Sequence, residues 1–110
     1  MGQVTLYPRL PLLLRAPINF SSSGNTTVIP ADSINRIIIH LIWLVVGAAT
    51  NLTFVDNLPS PAAIPMAANG GITFDATGEP WFITDPNTDF IINSSTGVQV
   101  SGECYCTLAI

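Results

Sequence analysis

Cys104 and Cys106, near the end of the chain, are the residues best suited to redox or metal chemistry. In a strand, residues two apart project from the same face about 6.5–7 Å apart. That spacing is unfavourable for a disulfide, whose Cα atoms usually lie about 4.4–6.8 Å apart with converging Cβ vectors. A C-x-C metal half-site would need further ligands, but the chain has one histidine and no second cysteine pair. We therefore predict free, half-buried thiols and neither a metal nor a cofactor.

The single histidine and the acidic residues are the remaining candidates for catalysis. His40 lies among isoleucines and leucines, so we interpret it as a packed or interface residue rather than the base of a nucleophilic site. Residues 85–89 begin like a calcium loop, but Phe90 stands where that loop needs glycine, and a β-turn is preferred. Asp75 and Glu79 flank a turn, and nothing places them across a cleft. The sequence therefore predicts no enzyme active site.

The composition is acidic and unusually poor in charge. Charged residues make up 9% of the chain, lysine is missing and the net charge is −4, whereas an average soluble domain is roughly 25% charged. A surface this neutral favours association, and without clustered basic residues direct nucleic-acid binding is disfavoured. No run reaches the about 20 apolar residues of a membrane helix. We expect a soluble protein that is not exported and has no membrane or nucleic-acid partner.

The central stretch, residues 34–47, predicts a long strand because half of its residues are β-branched Ile or Val. Strand alternation gives it an odd and an even face, and both are apolar. The even face must therefore be covered by a partner or by another part of the chain. Trp81 and Phe82 are adjacent and point to opposite faces, so one of them also needs cover. The predicted oligomer interface is Ile38, His40, Ile42, Leu44, Val46, Trp81 and Phe82.

The rest of the chain predicts about eight short strands with turn signals every 8–12 residues and no helix. This pattern indicates an all-β fold, an antiparallel β-sandwich of jelly-roll type, as a single domain over residues 18–110. Residues 58–65 contain three prolines and are predicted to be a surface loop. Residues 1–17 are predicted to be an extended proline-rich arm that covers its own sheet or reaches a neighbouring subunit. Its contact residues are Tyr7, Arg9, Leu10, Leu12, Leu13, Leu14 and Arg15.

Four segments of the second half carry glycine turns and a Gly-x-Pro-Trp-Phe motif: Ala-Asn-Gly-Gly-Ile (68–72), Gly-Glu-Pro-Trp-Phe-Ile-Thr (78–84), Phe-Ile-Ile-Asn-Ser-Ser (90–95) and Val-Gln-Val-Ser-Gly (98–102). With residues 37–54, they resemble small jelly-roll capsid decoration, or cement, proteins of tailed bacteriophages. The resemblance implies a protein that binds the outside of the shell as a dimer or trimer and holds neighbouring capsomers together. It brings no catalytic residues.

We therefore expect a non-enzymatic virion structural protein, assembled in the host cytoplasm and located on the capsid surface. Its expected partners are the major capsid protein, which the arm would contact, and further copies of itself. A phage tail or baseplate component is an alternative from the same virion class. A carbohydrate-binding β-sandwich that uses Trp43 or Trp81 as a stacking platform is an alternative from another class.

Overall fold

A computed structural model describes residues 14–55, 62–75 and 82–109. Within those ranges the chain forms nine β-strands and no helix. The strands are β1 (Leu14–Phe20), β2 (Gly24–Ile29), β3 (Arg36–Val46), β4 (Thr50–Val55), β5 (Ala63–Met66), β6 (Gly71–Asp75), β7 (Phe82–Ile83), β8 (Phe90–Ser94) and β9 (Val100–Ala109). They make two antiparallel sheets that pack face to face, so the predicted all-β sandwich is confirmed.

The strand order identifies the sandwich as a jelly roll. One sheet has the order β1-β9-β3-β6, with β7 also paired to β3, and the other has the order β2-β8-β4-β5. Each of the first four strands pairs with a strand from the second half: β1 with β9, β2 with β8, β3 with β6 and β4 with β5. A long antiparallel hairpin folded over into two sheets produces this arrangement, which is the jelly-roll topology.

The hydrophobic core lies between the two sheets and is built from alternate residues of their strands. Phe90 is fully buried at its centre, with its ring stacked on Phe54 at 6.3 Å and tilted against Phe82 at 5.3 Å between centroids. The buried apolar residues are Ile18, Phe20, Ile37, Ile39, Ile42, Leu44, Val46, Leu52, Phe54, Met66, Phe90, Ile92, Val100, Cys104 and Cys106. The core is therefore continuous from β1 to β9 and draws most heavily on β3.

A β-bulge at His40 changes which residues of β3 face the core. Ile39 pairs with Cys106 and Leu41 with Tyr105, so β3 contains one residue more than β9 over this interval. An extra residue of this kind shifts the alternation by one position. Ile37 and Ile39 point inward before the bulge, while the even-numbered Ile42, Leu44 and Val46 point inward after it. The prediction of one odd and one even face along the whole strand is therefore wrong.

Two predicted segment boundaries also differ from the structure. Residues 63–66, predicted as part of a loop, form β5, and Pro65 is tolerated there because β5 is the edge strand of its sheet. Residues 14–17, predicted as the end of the arm, belong to β1, which is an edge strand of the other sheet. The remainder of the predicted arm lies outside the described residues.

Candidate interaction surface

The outward side of the sheet that contains β1, β9, β3 and β6 is the candidate functional surface, and we call it the outer face. Cross-strand pairing aligns its residues in three rows that run across these four strands. The first row is Arg15, Tyr105, Leu41 and Asp75. The second row is Pro17, Glu103, Trp43 and Thr73. The third row is Asn19, Ser101, Val45 and Gly71. Directly opposite residues lie on the same side of a sheet, so each row is a line of neighbouring positions.

Leu41, Trp43 and Val45 form an apolar stripe along the outer face. Trp43 is 39% exposed and Val45 is 45% exposed, while Leu41 is half-buried. On the other side of the bulge, the paired residues Ile38 and Ile83 continue the stripe, and Ile83 is 47% exposed. Single exposed apolar side chains are ordinary on soluble proteins. An apolar stripe with polar residues on both sides instead makes this face a candidate interaction site.

Polar contacts flank the stripe on the β9 side and centre on Glu103. An Arg15 guanidinium nitrogen lies 3.3 Å from the Glu103 carboxylate, and the Tyr105 hydroxyl donates to the same carboxylate at 3.4 Å. The Arg15 side chain is 64% exposed, so this ion pair contributes little stability, typically about 0–1 kcal/mol. Its main effect is to hold a charged group of each sign beside the apolar stripe.

His40 occupies the bulge on the outer side of the sheet. Its Nε2 lies 2.8 Å from the hydroxyl oxygen of Thr107, which is opposite Ile38 on β9. Thr107 is buried although its strand position faces outward, and the His40 ring lies against it. His40 therefore packs against its own sheet. Among the described residues no carboxylate is hydrogen-bonded to its ring, as the base of a nucleophilic site would require.

The predicted oligomer interface is divided by the bulge. Ile38 and His40 lie on the outer side, in agreement with the expected second face. Ile42, Leu44 and Val46 are each 1% exposed inside the sandwich, so their predicted placement on that face is wrong. Phe82 is also turned inward and packs on Phe90, while Trp81 lies outside the described residues.

Leu41, Trp43 and Val45 take their place on the outer side. Strict alternation through His40 instead predicts these three residues on the odd face, opposite the expected interface. A polar residue in the middle of a strand whose two faces are both apolar is the signal that could have indicated a bulge.

Two residues of the predicted arm can be located. Leu14 is 41% exposed and pairs with Cys106, and Arg15 pairs with Tyr105 at the edge of the outer face. Both therefore contact their own sheet. The other predicted contact residues lie outside the described part of the chain: Tyr7, Arg9, Leu10, Leu12 and Leu13.

The cysteines are free, as predicted, but they are fully buried rather than half-buried. Cys104 is 0% and Cys106 2% exposed, both on the inner side of β9. Desolvation is the main cause that raises the pKa of the Cys104 thiol to about 12, and the neighbouring Cys106 adds a smaller increase. Desolvation also raises the pKa of Cys106. Thiols of this kind are poor nucleophiles and poor metal ligands at neutral pH.

The acidic candidates serve the turns that connect the strands. Asp89 Oδ1 accepts a hydrogen bond from the Ala31 amide at 2.7 Å, and Asp85 pairs with Arg36 at 3.4 Å. Asn87 has a φ of 57°, as expected in a turn, so the turn interpretation of residues 85–89 is confirmed. Glu79 lies outside the described residues. Within the described ranges no three His, Cys, Asp or Glu side chains meet in a metal-binding group.

Comparison with protein-family models, with curated proteins and with solved structures finds no match for this chain. In the described segments no helix is long and apolar enough to span a membrane. The arrangement of the outer face is therefore the main guide to function.

Proposed function

We propose that this chain is a non-enzymatic structural protein of a tailed-bacteriophage virion, which binds the outer capsid surface and stabilises contacts between neighbouring capsomers. It would act as a homo-oligomer whose outer face binds other protein. The residues before β1 would contact the major capsid protein.

The observation that carries this proposal is the exposed stripe of Leu41, Trp43 and Val45 on a rigid sheet. Burial of a large apolar side chain contributes roughly 1.5–3 kcal/mol, so a partner on this stripe would gain several kcal/mol before the costs of association. The jelly roll supports the proposal, since viral capsid domains use it, but lectins and cupins use it too. The family resemblance described above selects the virion among these.

The place where β1 begins supports a role for the preceding residues in attachment. Leu14 starts an edge strand, so the chain enters the sandwich at one border of the outer face. The sequence of residues 1–13 contains six leucine, tyrosine or valine side chains, together with Arg9 and two prolines. Such a segment suits an extended contact with another protein surface.

The test uses capsid shells that lack this protein, prepared from the phage whose genome would encode it, and measures whether the added protein binds them. The full chain should co-sediment with the shells and raise their resistance to heat. A variant lacking residues 2–13 should keep the melting curve of the sandwich but lose co-sedimentation. Deletion should stop at residue 13, because residues 14–16 belong to β1. Absence of binding by the full chain would overturn the proposal, and unimpaired binding by the truncated chain would remove the arm from it.

Carbohydrate binding is the second candidate, because Trp43 is exposed in the same row as Glu103 and Thr73. An aromatic platform beside hydrogen-bonding groups suits a sugar ring. A shallow concavity of about 320 Å³, lined in part by Val45, Asn69 and Gln99, lies at the end of the stripe. Saturable changes in tryptophan fluorescence with soluble glycans, lost in Trp43→Ala, would favour this candidate over the capsid role.

A further inference from the structure

The rows of the outer face place opposite charges at opposite borders. The first row begins with Arg15 on β1 and ends with Asp75 on β6, and the polar Tyr105 and the apolar Leu41 lie between them. A half-turn about an axis parallel to the strands, between β9 and β3, exchanges β1 with β6 and β9 with β3. The same operation places each row of one copy over the same row of the other copy.

We propose that the outer face binds the outer face of a second copy of this chain around that two-fold axis. The two sheets would pack with their strands aligned, about 10 Å apart and crossing at roughly 30°. An interface of this kind is isologous. Both copies use the same surface, and every contact from one copy to the other is repeated in the reverse direction.

Charge complementarity at both borders supports this arrangement. In the two-fold arrangement Arg15 of one copy lies over Asp75 of the other, and the symmetric contact repeats at the opposite border. A guanidinium presents five N–H donors, so its existing pair with Glu103 leaves donors for a second carboxylate. No like charges are brought together within the three rows. The other two-fold orientation has its axis along the middle row and places β1 over β1, so Arg15 would lie over Asn19 and Asp75 over Gly71, without a charged partner for either.

Polar and apolar groups also match across the proposed interface. The operation places Trp43 of one copy over Glu103 of the other in the second row, and Tyr105 over Leu41 in the first row. The Trp43 indole N–H is a donor, and no side-chain hydrogen bond from it is formed within the described part of the chain. The Glu103 carboxylate accepts charge-assisted bonds, while the ring packs on the apolar stripe. Trp43 would thus bury its ring and satisfy its polar group in a single contact.

This inference rests on the self-association that the proposed function includes, and it deepens that function by naming the surface, the symmetry and the residue pairs. It is tested on the purified full chain in solution, without shells. A failure here would therefore leave shell binding to be judged separately.

The experiment is a charge swap, followed by sedimentation velocity over a wide range of concentrations. The unmodified chain should form a dimer. Arg15→Glu and Asp75→Arg should each weaken dimerisation by about tenfold or more, because each places like charges in contact. The double variant should restore it, since the pair is then reversed. One single variant makes the net charge more negative and the other makes it less negative, so loss in both excludes an effect of overall repulsion.

Controls separate this contact from folding and from surface charge in general. Asn51→Arg adds a charge on an exposed position of the other sheet and should leave the dimer unchanged. Melting curves by circular dichroism should show that every variant is folded. A strict monomer, a trimer, or a dimer insensitive to both single variants would overturn the proposal. So would a double variant that stays monomeric. A monomer that dimerises only after removal of residues 2–13 would instead identify those residues as the cover of the outer face.

Discussion

Ile39 and Leu41 are separated by His40 in the chain, yet they pair with the adjacent residues Cys106 and Tyr105 of β9. This single extra residue determines the surface chemistry of the protein. It turns Ile42, Leu44 and Val46 into the core and brings Leu41, Trp43 and Val45 to the outside. If all residues of β3, His40 included, alternated regularly, the indole of Trp43 would have to fit between the sheets, and the outer face would carry smaller aliphatic side chains.

Deletion of His40 should leave the sandwich folded. Without the extra residue Leu41 follows Ile39 directly, so the pairs Ile39–Cys106 and Leu41–Tyr105 continue as a regular ladder and the same side chains face the core. We expect a cooperative thermal transition by circular dichroism, close to that of His40→Ala, which keeps the bulge and loses only the contact with Thr107 at a cost of about 1 kcal/mol. A deletion variant without a cooperative transition would contradict the assignment of His40 as the extra residue of a bulge.

Neighbouring residues after the bulge should differ sharply in their response to truncation. Leu44 is 1% exposed and packed in the core, so Leu44→Ala should lower the free energy of unfolding by about 2–5 kcal/mol. Val45, next to it, is 45% exposed, and Val45→Ala should change that free energy by only about 0.5 kcal/mol. Urea denaturation at low protein concentration measures both. The reverse order would show that the alternation is not shifted at His40.

Gly102 permits the close approach of β9 to β3. A Cβ at this position would overlap the Trp43 carbonyl oxygen and lie 2.6 Å from the Leu44 Cα. These are backbone atoms of the central strand, so Gly102→Ala should destabilise the protein by about 1–3 kcal/mol or more. The matched control is Gly47→Ala, whose Cβ would lie 3.7 Å from the nearest atom, the Gln99 Cβ. Equal melting temperatures for the two variants would contradict this account.

Much of the fold could be predicted from local sequence signals. Val- and Ile-rich runs separated by Gly, Asn, Asp and Pro turns indicate short strands, and most predicted strands lie within a few residues of those observed. The burial of Cys104 and Cys106 on one face follows from their spacing in β9. The turn at residues 85–89 follows from its Asp, Asn and Pro content.

The errors arise where pairing, rather than local preference, decides the structure. A bulge forms when one strand has more residues than its partner over the same interval. The sequence of β3 alone does not show how many residues of β9 lie opposite it. Pro65 argued against a strand, but it is accommodated because β5 has a neighbour on one side only. The nearby prolines predict that Leu14 and Arg15 belong to an arm. In the structure both residues pair with β9, and this pairing extends β1 back to Leu14.

The two buried thiols should make the protein sensitive to alkaline pH. Burial raises the pKa of Cys104 from its ordinary value of 9.0 to about 12, so the unfolded chain releases this proton at lower pH than the folded chain. The contribution of this thiol to stability should therefore be constant below about pH 9 and fall as the pH rises toward 12, by up to about 1.4 kcal/mol per pH unit. Urea denaturation at a series of pH values measures this slope.

A variant with both Cys104→Ala and Cys106→Ala provides the comparison, since it differs from the unmodified protein in these two thiols alone. The variant should start less stable, because two buried sulfur atoms are lost, but its decline above pH 9 should be shallower. Iodoacetamide should label neither thiol of the folded protein at pH 8, yet label both in denaturant, because only the exposed thiol ionises readily. Parallel pH profiles of the two proteins would contradict the burial of these thiols. Rapid labelling of the folded protein would also contradict it, because it would show that β9 separates readily from the core.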